Sequence, residues 1–250
     1  MKRVKRGWMN LRVTKVVSET HDTNTFELVD ADDGGRSFDY DAGQYLTFRF
    51  DELSDKPLVR SYTLSSSPNQ GDFCAFTVKR VESGSISNWL CDNVKVGSIL
   101  RARGPIGKFC WEPGSERTHL FMVAGGSGVT PFASIMREYA GLCGAPGAPG
   151  QMTLLVSYRT SKDLILWDDL QKINAAKNCR VFTTLSREDM TGSGFLYGRI
   201  DQEMLLQLIG GAQNQMTFMT CGPTEIMDLT VATCRAAGVP EPCIRTESFY

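Results

Sequence analysis

Up to Phe109, apolar side chains tend to recur at every second position. In QYLTFRF, Leu46, Phe48 and Phe50 share one face, as do Cys74, Phe76 and Val78 in FCAFTVKRV, the spacing of strands with one side on a core. Turn clusters such as DADDGG and SSPNQGD separate these runs. The pattern predicts an antiparallel sheet closed into a small β-barrel. From His119 the rhythm changes to short apolar runs alternating with helical stretches: HLFMVAG then PFASIMREYAGL, MTLLVSY then LILWDDLQKINAA, RVFTTLS then DQEMLLQLIG, MTFMTCG then TEIMDLTVATCRAAG. Repeated strand and helix units predict an α/β domain, a parallel sheet with helices on both faces. The change of period divides the chain into residues 1–113 and 114–250. GAPGAPG, Gly144 to Gly150, falls inside the second half and reads as a long surface loop.

Composition narrows the function. The formal net charge of -1 argues against a nucleic-acid binder, since affinity for phosphate backbones needs a strongly basic domain. The basic run MKRVKR at the N-terminus reads as a solvated start. No apolar segment is long enough to span a bilayer and the N-terminus lacks a secretory h-region, so a cytoplasmic protein is expected. The eight cysteines are scattered without a C-x-x-C pair, zinc spacing or ferredoxin-type run. They read as reduced thiols, with no metal site expected.

Two stretches carry candidate chemistry. AGGSGVTP, Ala124 to Pro131, joins a strand to a helix, and a glycine turn there lets backbone N–H groups approach a pyrophosphate at a helix N-terminus. It is not a P-loop, which would end in Gly-Lys-Ser/Thr. Nor is it a hydrolase elbow, because Val129 stands where G-x-S-x-G needs glycine, and His21 and His119 are poorly placed as a triad base. A glycine turn without a ligand remains open. The second stretch is RSYTLSSSP, Arg60 to Pro68. A solvent-facing strand would explain its arginine and hydroxyls but not their order, in which Arg60 and Tyr62 share one face while Ser61 and Thr63 share the other. GSIS, Gly84 to Ser87, opens a helix and is either a plain N-cap or an anion site.

Together these motifs resemble the ferredoxin-NADP reductase family over nearly the whole chain, in its branch of bacterial reductases serving oxygenases and hybrid-cluster proteins. RSYT looks like the family's R-x-Y-S/T flavin motif, and TVKR with GSIS like its second flavin segment. GPIGKF looks like the end of its flavin barrel, GGSGVTP its nicotinamide-dinucleotide turn, TCGP its late strand-end motif and ESF its closing segment. The resemblance implies a flavin-binding barrel and an NAD(P)H-binding α/β domain. Arg60, Ser61, Tyr62, Thr63, Val78, Lys79, Arg80, Gly84, Ser85, Ile86 and Ser87 would then hold the flavin, FAD rather than FMN because GSIS adds a helix N-terminus for a second phosphate. Arg60 would pair with a phosphate, Tyr62 pack on the ring system and Thr63 bond near flavin N5, so the strand's polar residues line a cofactor. Gly125, Gly126, Gly128, Thr130, Pro131, Arg159, Cys221, Gly222 and Pro223 would take the nicotinamide dinucleotide. Thr130, Cys221 and Glu247 stand nearest the nicotinamide, and Phe249 occupies its seat against the flavin until displaced.

The implied activity is hydride transfer from NADPH or NADH to the flavin, then single electrons to a ferredoxin or an iron-sulfur or oxygenase partner. A ferredoxin domain often adjoins such reductases, and these 250 residues carry none. The acceptor is therefore a separate protein, or the chain is a reductase module. An electron-relay flavin subunit of a larger complex and a non-catalytic nucleotide-binding protein are the alternatives. LSREDMTGSGFLYGRI, Leu185 to Ile200, follows the third strand of the second half, where the adenosine ribose is read. Ser186, Arg187 and Arg199 resemble the family's NADPH-binding pattern, against which Glu188 sets a negative charge and the alternative of ordinary solvated charges stands.

Overall fold

The computed structural model describes residues 7–35, 38–114 and 116–249. The basic run MKRVKR and Tyr250 lie outside the described residues. The chain divides into two units, one reaching Cys110 and including Ala133–Glu138, the other formed by Trp111–Phe132 and Tyr139 onward.

The first unit holds β1 (Trp8–Thr20), β2 (Thr23–Asp30), β3 (Tyr45–Phe50), β4 (Leu58–Thr63), β5 (Cys74–Lys79), helix α1 (Ser85–Asn93) and β6 (Ile99–Ile106). All its strand pairs are antiparallel, in the order β4-β3-β6-β1-β2-β5. Alternation works as expected: Met9, Leu11 and Val13 of β1 and Leu46, Phe48 and Phe50 of β3 all turn inward. Their core is aromatic, with the Phe48 and Phe76 rings 4.5 Å apart and Phe26 and Phe76 5.2 Å apart. Among the described residues, the two edges of this sheet are bridged between Leu64 and Phe76. β4 and β5 are not paired to each other as strands, and Tyr62 of β4 packs on Phe76 of β5. On the outer face the side chains of Arg49, Arg101 and Arg103 stack over Trp8, 5.2 to 5.9 Å from its ring.

The second unit begins with β7 (His119–Gly125), followed by a tight turn at Gly126–Val129 and helix α2 (Thr130–Tyr139), whose Ala133–Glu138 stretch counts with the first unit. It continues with β8 (Gln151–Tyr158), α3 (Trp167–Asn174), β9 (Cys179–Leu185), β10 (Leu196–Tyr197), α4 (Gln202–Ile209), β11 (Met216–Cys221), α5 (Thr224–Ala236) and β12 (Ile244–Glu247). Its sheet is parallel throughout, ordered β10-β9-β8-β7-β11-β12. From β7 the chain steps outward to β8 and β9, then returns to place β11 on the other side of β7. The strand order reverses there, and a crevice opens outside the carboxyl ends at such a switch point. Buried runs fill β7 and β8, as strands covered on both faces require.

Two departures from the sequence pattern have local causes. LILWDDLQKINAA yields a helix only from Trp167, because Leu166 takes a left-handed backbone at φ 56° and stops the helix extending toward Leu164. β10 and β12 were not expected as strands; they have two and four residues and are defined by pairing with β9 and β11. Among the described residues, no helix is long and apolar enough to cross a membrane.

Candidate cofactor and nucleotide sites

In the first unit, Arg60 and Tyr62 lie at the open seam between the barrel's edges. Leu64 pairs with Phe76, so antiparallel continuation sets Tyr62 toward Val78 and Arg60 toward Arg80. Tyr62 packs on Phe76 and Phe48, ring centroids 5.5 and 6.0 Å away, and burial pushes its phenol well above the ordinary tyrosine range. It therefore presents a neutral ring. Arg60 is exposed and Thr63 buried, while Ser61 turns to the outer face and shares a 3.0 Å hydrogen bond with Thr47. Ile86 packs against the same core as Tyr62.

The helix expected at GSIS is α1, with Gly84 as N-cap and no side chain capping its first N–H groups. Ser87 is turned inward and accepts from the Val81 N–H at 3.1 Å, so its hydroxyl closes the loop before the helix. A Cβ on Gly84 would sit 2.7 Å from that oxygen. Ser85 is exposed at the uncapped end, which carries no acidic residue in its first turn. Open N–H groups at the positive end of a helix suit a phosphate, and the donor set of this unit fits a flavin nucleotide.

Two basic residues expected beside the flavin form ion pairs within the unit. Lys79 pairs with Asp22 at 2.9 Å, and Arg80 pairs with Asp92 at 2.7 Å, on the flank of α1. The hydroxyls of RSYTLSSSP divide, with Ser61 on the outer face and Thr63 buried. Ser65, Ser66 and Ser67 are buried and tie the unit together. Thr77 donates to Ser65 at 2.9 Å, Tyr40 and Ser66 share a 2.6 Å bond, and Ser66 accepts from the Ala75 N–H at 2.8 Å. Ser134 donates to the Ser66 carbonyl at 2.6 Å, Arg137 donates to that of Ser65, and Ser67 donates to Glu138 at 2.5 Å. Sequence reasoning missed these roles, since buried and exposed serines look alike in a pattern.

In the second unit the glycine turn and TCGP meet at the switch point. β7 and β11 are neighbours with Ala124 beside Cys221, which brings both strand ends together backbone on backbone. A Cβ on Gly128 would lie 2.3 Å from the Cys221 carbonyl oxygen, and one on Gly125 2.7 Å from Pro223. Gly222, at φ 137°, approaches Gly125 N within 2.9 Å of its own would-be Cβ. Only glycine permits such proximity. Gly126, at φ 52°, faces open space. Thr130 is buried and donates to the Ser127 carbonyl at 3.0 Å, so its hydroxyl holds the turn in shape, and Pro131 follows in the first turn of α2.

Beside this turn, Glu247 ends β12 level with Cys221. Burial pushes the Glu247 carboxyl up to about 7, against the pull of Arg245. Its Oε2 and the Thr220 hydroxyl are buried with no hydrogen-bond partner among the described residues. Unmet buried polar atoms at a strand-end crevice are a signature of a site built for a polar ligand. Burial, then the Glu247 charge, push the Cys221 thiol far up, leaving it neutral. Phe249 is half-buried just past β12. His119 lies at the opposite end of β7, bonded to Thr153 at 2.9 Å and pushed down to about 4 by burial. It offers no base at the turn.

The third cluster sits at the carboxyl ends of β8, β9 and β10. The Ser186 and Arg187 N–H groups donate to the carbonyls of Tyr158 and Arg159 at 2.9 Å, and that of Gly198 to Leu185 at 3.0 Å. Arg159, Arg187 and Arg199 therefore leave adjoining strands at one end of the sheet, all exposed. Glu188 accepts from the Ser161 N–H at 2.6 Å, which holds its carboxyl below the usual range and keeps it ionised, tied back to the loop after β8.

Comparison with known proteins finds two oxidoreductase domain models in succession. The oxidoreductase FAD-binding domain model matches residues 10–111 and the oxidoreductase NAD-binding domain model residues 122–232. The glycine betaine monooxygenase reductase subunit of Chromohalobacter salexigens is 32% identical over 97% of this chain and 64% of its own length. The ferredoxin reductase component of 3-ketosteroid-9-alpha-monooxygenase from Mycobacterium tuberculosis is 32% identical over 96% of this chain and 65% of its own. The chain thus spans slightly under two thirds of these curated relatives. The flavohem-like FAD/NAD-binding domain of nitric oxide dioxygenase from Vibrio cholerae superposes with a TM-score of 0.83 at 27% identity, covering 98% of this chain and 99% of that domain. With an FAD-binding and an NAD-binding domain in this order, the chain belongs to the ferredoxin-NADP reductase-like family.

Proposed function

We propose that this chain is an FAD-dependent NAD(P)H reductase that passes single electrons to a ferredoxin or to an iron-sulfur or oxygenase partner. The observation carrying the reading is the packing of the Gly125–Gly128 turn against Cys221 and Gly222, beside Glu247, whose Oε2 is buried with no hydrogen-bond partner among the described residues. Bound FAD supplies a hydride acceptor that can release electrons one at a time. The protein's part is to hold and orient. Residues 1–113 take the flavin: Arg60 and the α1 N-terminus hold phosphate, and Tyr62 walls the ring system with the fully buried Val78 in the core behind it. Residues 114–250 take the nucleotide on the turn, with the neutral Cys221 thiol and Glu247 flanking the nicotinamide. The acceptor class follows the relatives named as oxygenase reductase components, and the reading includes a cytoplasmic location. Because those relatives extend beyond the matched length, an electron-relay subunit is the second reading; a stable partner that co-purifies and accepts the electrons would favour it.

Purified protein should release FAD on heating, identified by chromatography. Arg60→Ala should lower flavin affinity roughly 10- to 150-fold, the loss of one charge-assisted phosphate contact, while the second unit keeps its fold by circular dichroism. No flavin in the parent removes the whole reading, and full retention by the mutant through dialysis removes Arg60 from the site.

NADPH is the proposed donor, with Ser186 and Arg187 on its 2'-phosphate and Arg159 and Arg199 nearby. Three exposed arginines at the carboxyl ends of adjoining strands support this, against the negative charge that Glu188 keeps. Arg187→Ala should then lower kcat/KM for NADPH at least about tenfold, with ferricyanide as acceptor, and change that for NADH little. Equal losses would exclude Arg187 from phosphate recognition.

A further inference from the structure

Cys143 and Cys179 are far apart in sequence and close in space. Their sulfurs are 3.8 Å apart across 36 positions of chain. Cys143 lies just past the end of α2, half-exposed in the connection leading to Gly144–Gly150, and Cys179 opens β9 at 5% exposure. Both are free thiols, and the Cys179 sulfur also lies 4.0 Å from the Ala140 carbonyl. A disulfide needs the sulfurs about 2.05 Å apart. The movement required falls on Cys143, which an exposed loop carries, while β9 stays fixed.

We infer that Cys143 and Cys179 form a redox-sensitive pair that a hydroperoxide closes into a disulfide. Cys143, the accessible partner, reduces the peroxide O–O bond and becomes a sulfenic acid, releasing water from hydrogen peroxide. The Cys179 sulfur then displaces that hydroxyl as a second water, its thiol proton leaving with it, so two thiols and one peroxide give one disulfide and two waters. Burial pushes both thiols above their ordinary range, so little thiolate is present and the pair should oxidise slowly, through the half-exposed Cys143, rather than as a fast peroxide sensor. The bond would close a loop containing β8 and α3. It lies at the N-terminal end of β9, away from the arginines at that strand's carboxyl end, so its expected role is to staple the sheet rather than alter nucleotide contacts.

The purified protein, treated with hydrogen peroxide, alkylated and digested, should yield a linked peptide pair containing Cys143 and Cys179. That product should be missing from Cys143→Ser and from Cys179→Ala, and the oxidised parent should melt about 5 °C higher than the reduced one. Alkylation of both thiols while other cysteines have oxidised would overturn the pair, as would Cys143 linked elsewhere or driven to sulfinic acid. A linked pair with no rise in melting temperature would overturn the stapling role. Two separate variants guard against one that fails to fold, since Cys143 sits in an exposed loop.

Discussion

Gly128→Ala is expected to raise the KM for the nicotinamide dinucleotide about 10- to 100-fold and to lower the melting temperature of the second unit, with FAD content unchanged. The added methyl would stand 2.3 Å from the Cys221 carbonyl oxygen and 2.6 Å from its carbonyl carbon. Both are backbone atoms of β11, paired to β7 on one side and β12 on the other, so neither can swing aside as a side chain would. The turn must shift by something near an ångström. Overpacking of that kind costs roughly 1–3 kcal/mol, and a displacement of that size in a positioning element costs up to ~100-fold in rate. Gly126→Ala is the matched control. Its methyl would meet open space, so only the left-handed φ of 52° opposes it, a penalty of about 1 kcal/mol. Nucleotide titration and thermal melts on both variants provide the check. Equal behaviour of the two, or parental nucleotide affinity in Gly128→Ala, would show that the close approach of the strand ends is not what shapes the site.

That contrast also marks what the sequence could disclose. A glycine turn between a strand and a helix was legible, because strand period, helix period and turn chemistry all point to the same place. Which glycine is indispensable was not. The answer depends on Cys221, far away in sequence, and exists only once β11 lies beside β7. The inward faces of β3 and β5 were readable because period two sorts residues without any knowledge of neighbours. β10 and β12 were not, because strands of two and four residues carry too few positions for a period and owe their conformation to the strand they join. RSYTLSSSP divides within itself: Arg60 and Tyr62 stand at a seam, whereas Ser65 to Ser67 are buried ties. Composition cannot separate a hydroxyl that waits for a ligand from one already bonded to Tyr40 or Glu138. Glu247 was assigned through its place in a terminal motif. Its distinguishing property, a carboxyl enclosed without a partner for one oxygen, arises from burial that no local pattern encodes.

Glu247→Gln should stabilise the protein at pH 8 by an amount approaching roughly 3 kcal/mol and leave it nearly unchanged at pH 4. Burial raises the folded-state carboxyl from 4.5 to about 7. A raised carboxyl means that the native state holds its proton more tightly than the unfolded chain does. Between pH 4.5 and 7 the folded protein therefore carries more protons, and stability falls as pH rises through that window. Above it the full cost of a buried carboxylate is present, about 1.4 kcal/mol for each unit of displacement. Glutamine keeps the shape and cannot ionise, so its advantage should grow from near zero at pH 4 to a plateau above pH 7. Denaturant unfolding of both proteins, followed in parallel from pH 4 to 8, reads this difference directly. A constant offset across that range would mean that Glu247 titrates as an ordinary surface carboxyl. On the proposed reading this carboxyl, level with the Cys221 thiol at the strand ends, faces the nucleotide. The same variant should therefore shift the pH dependence of NAD(P)H oxidation while binding FAD as the parent does, since its carboxyl lies among the strand ends that carry the nucleotide turn.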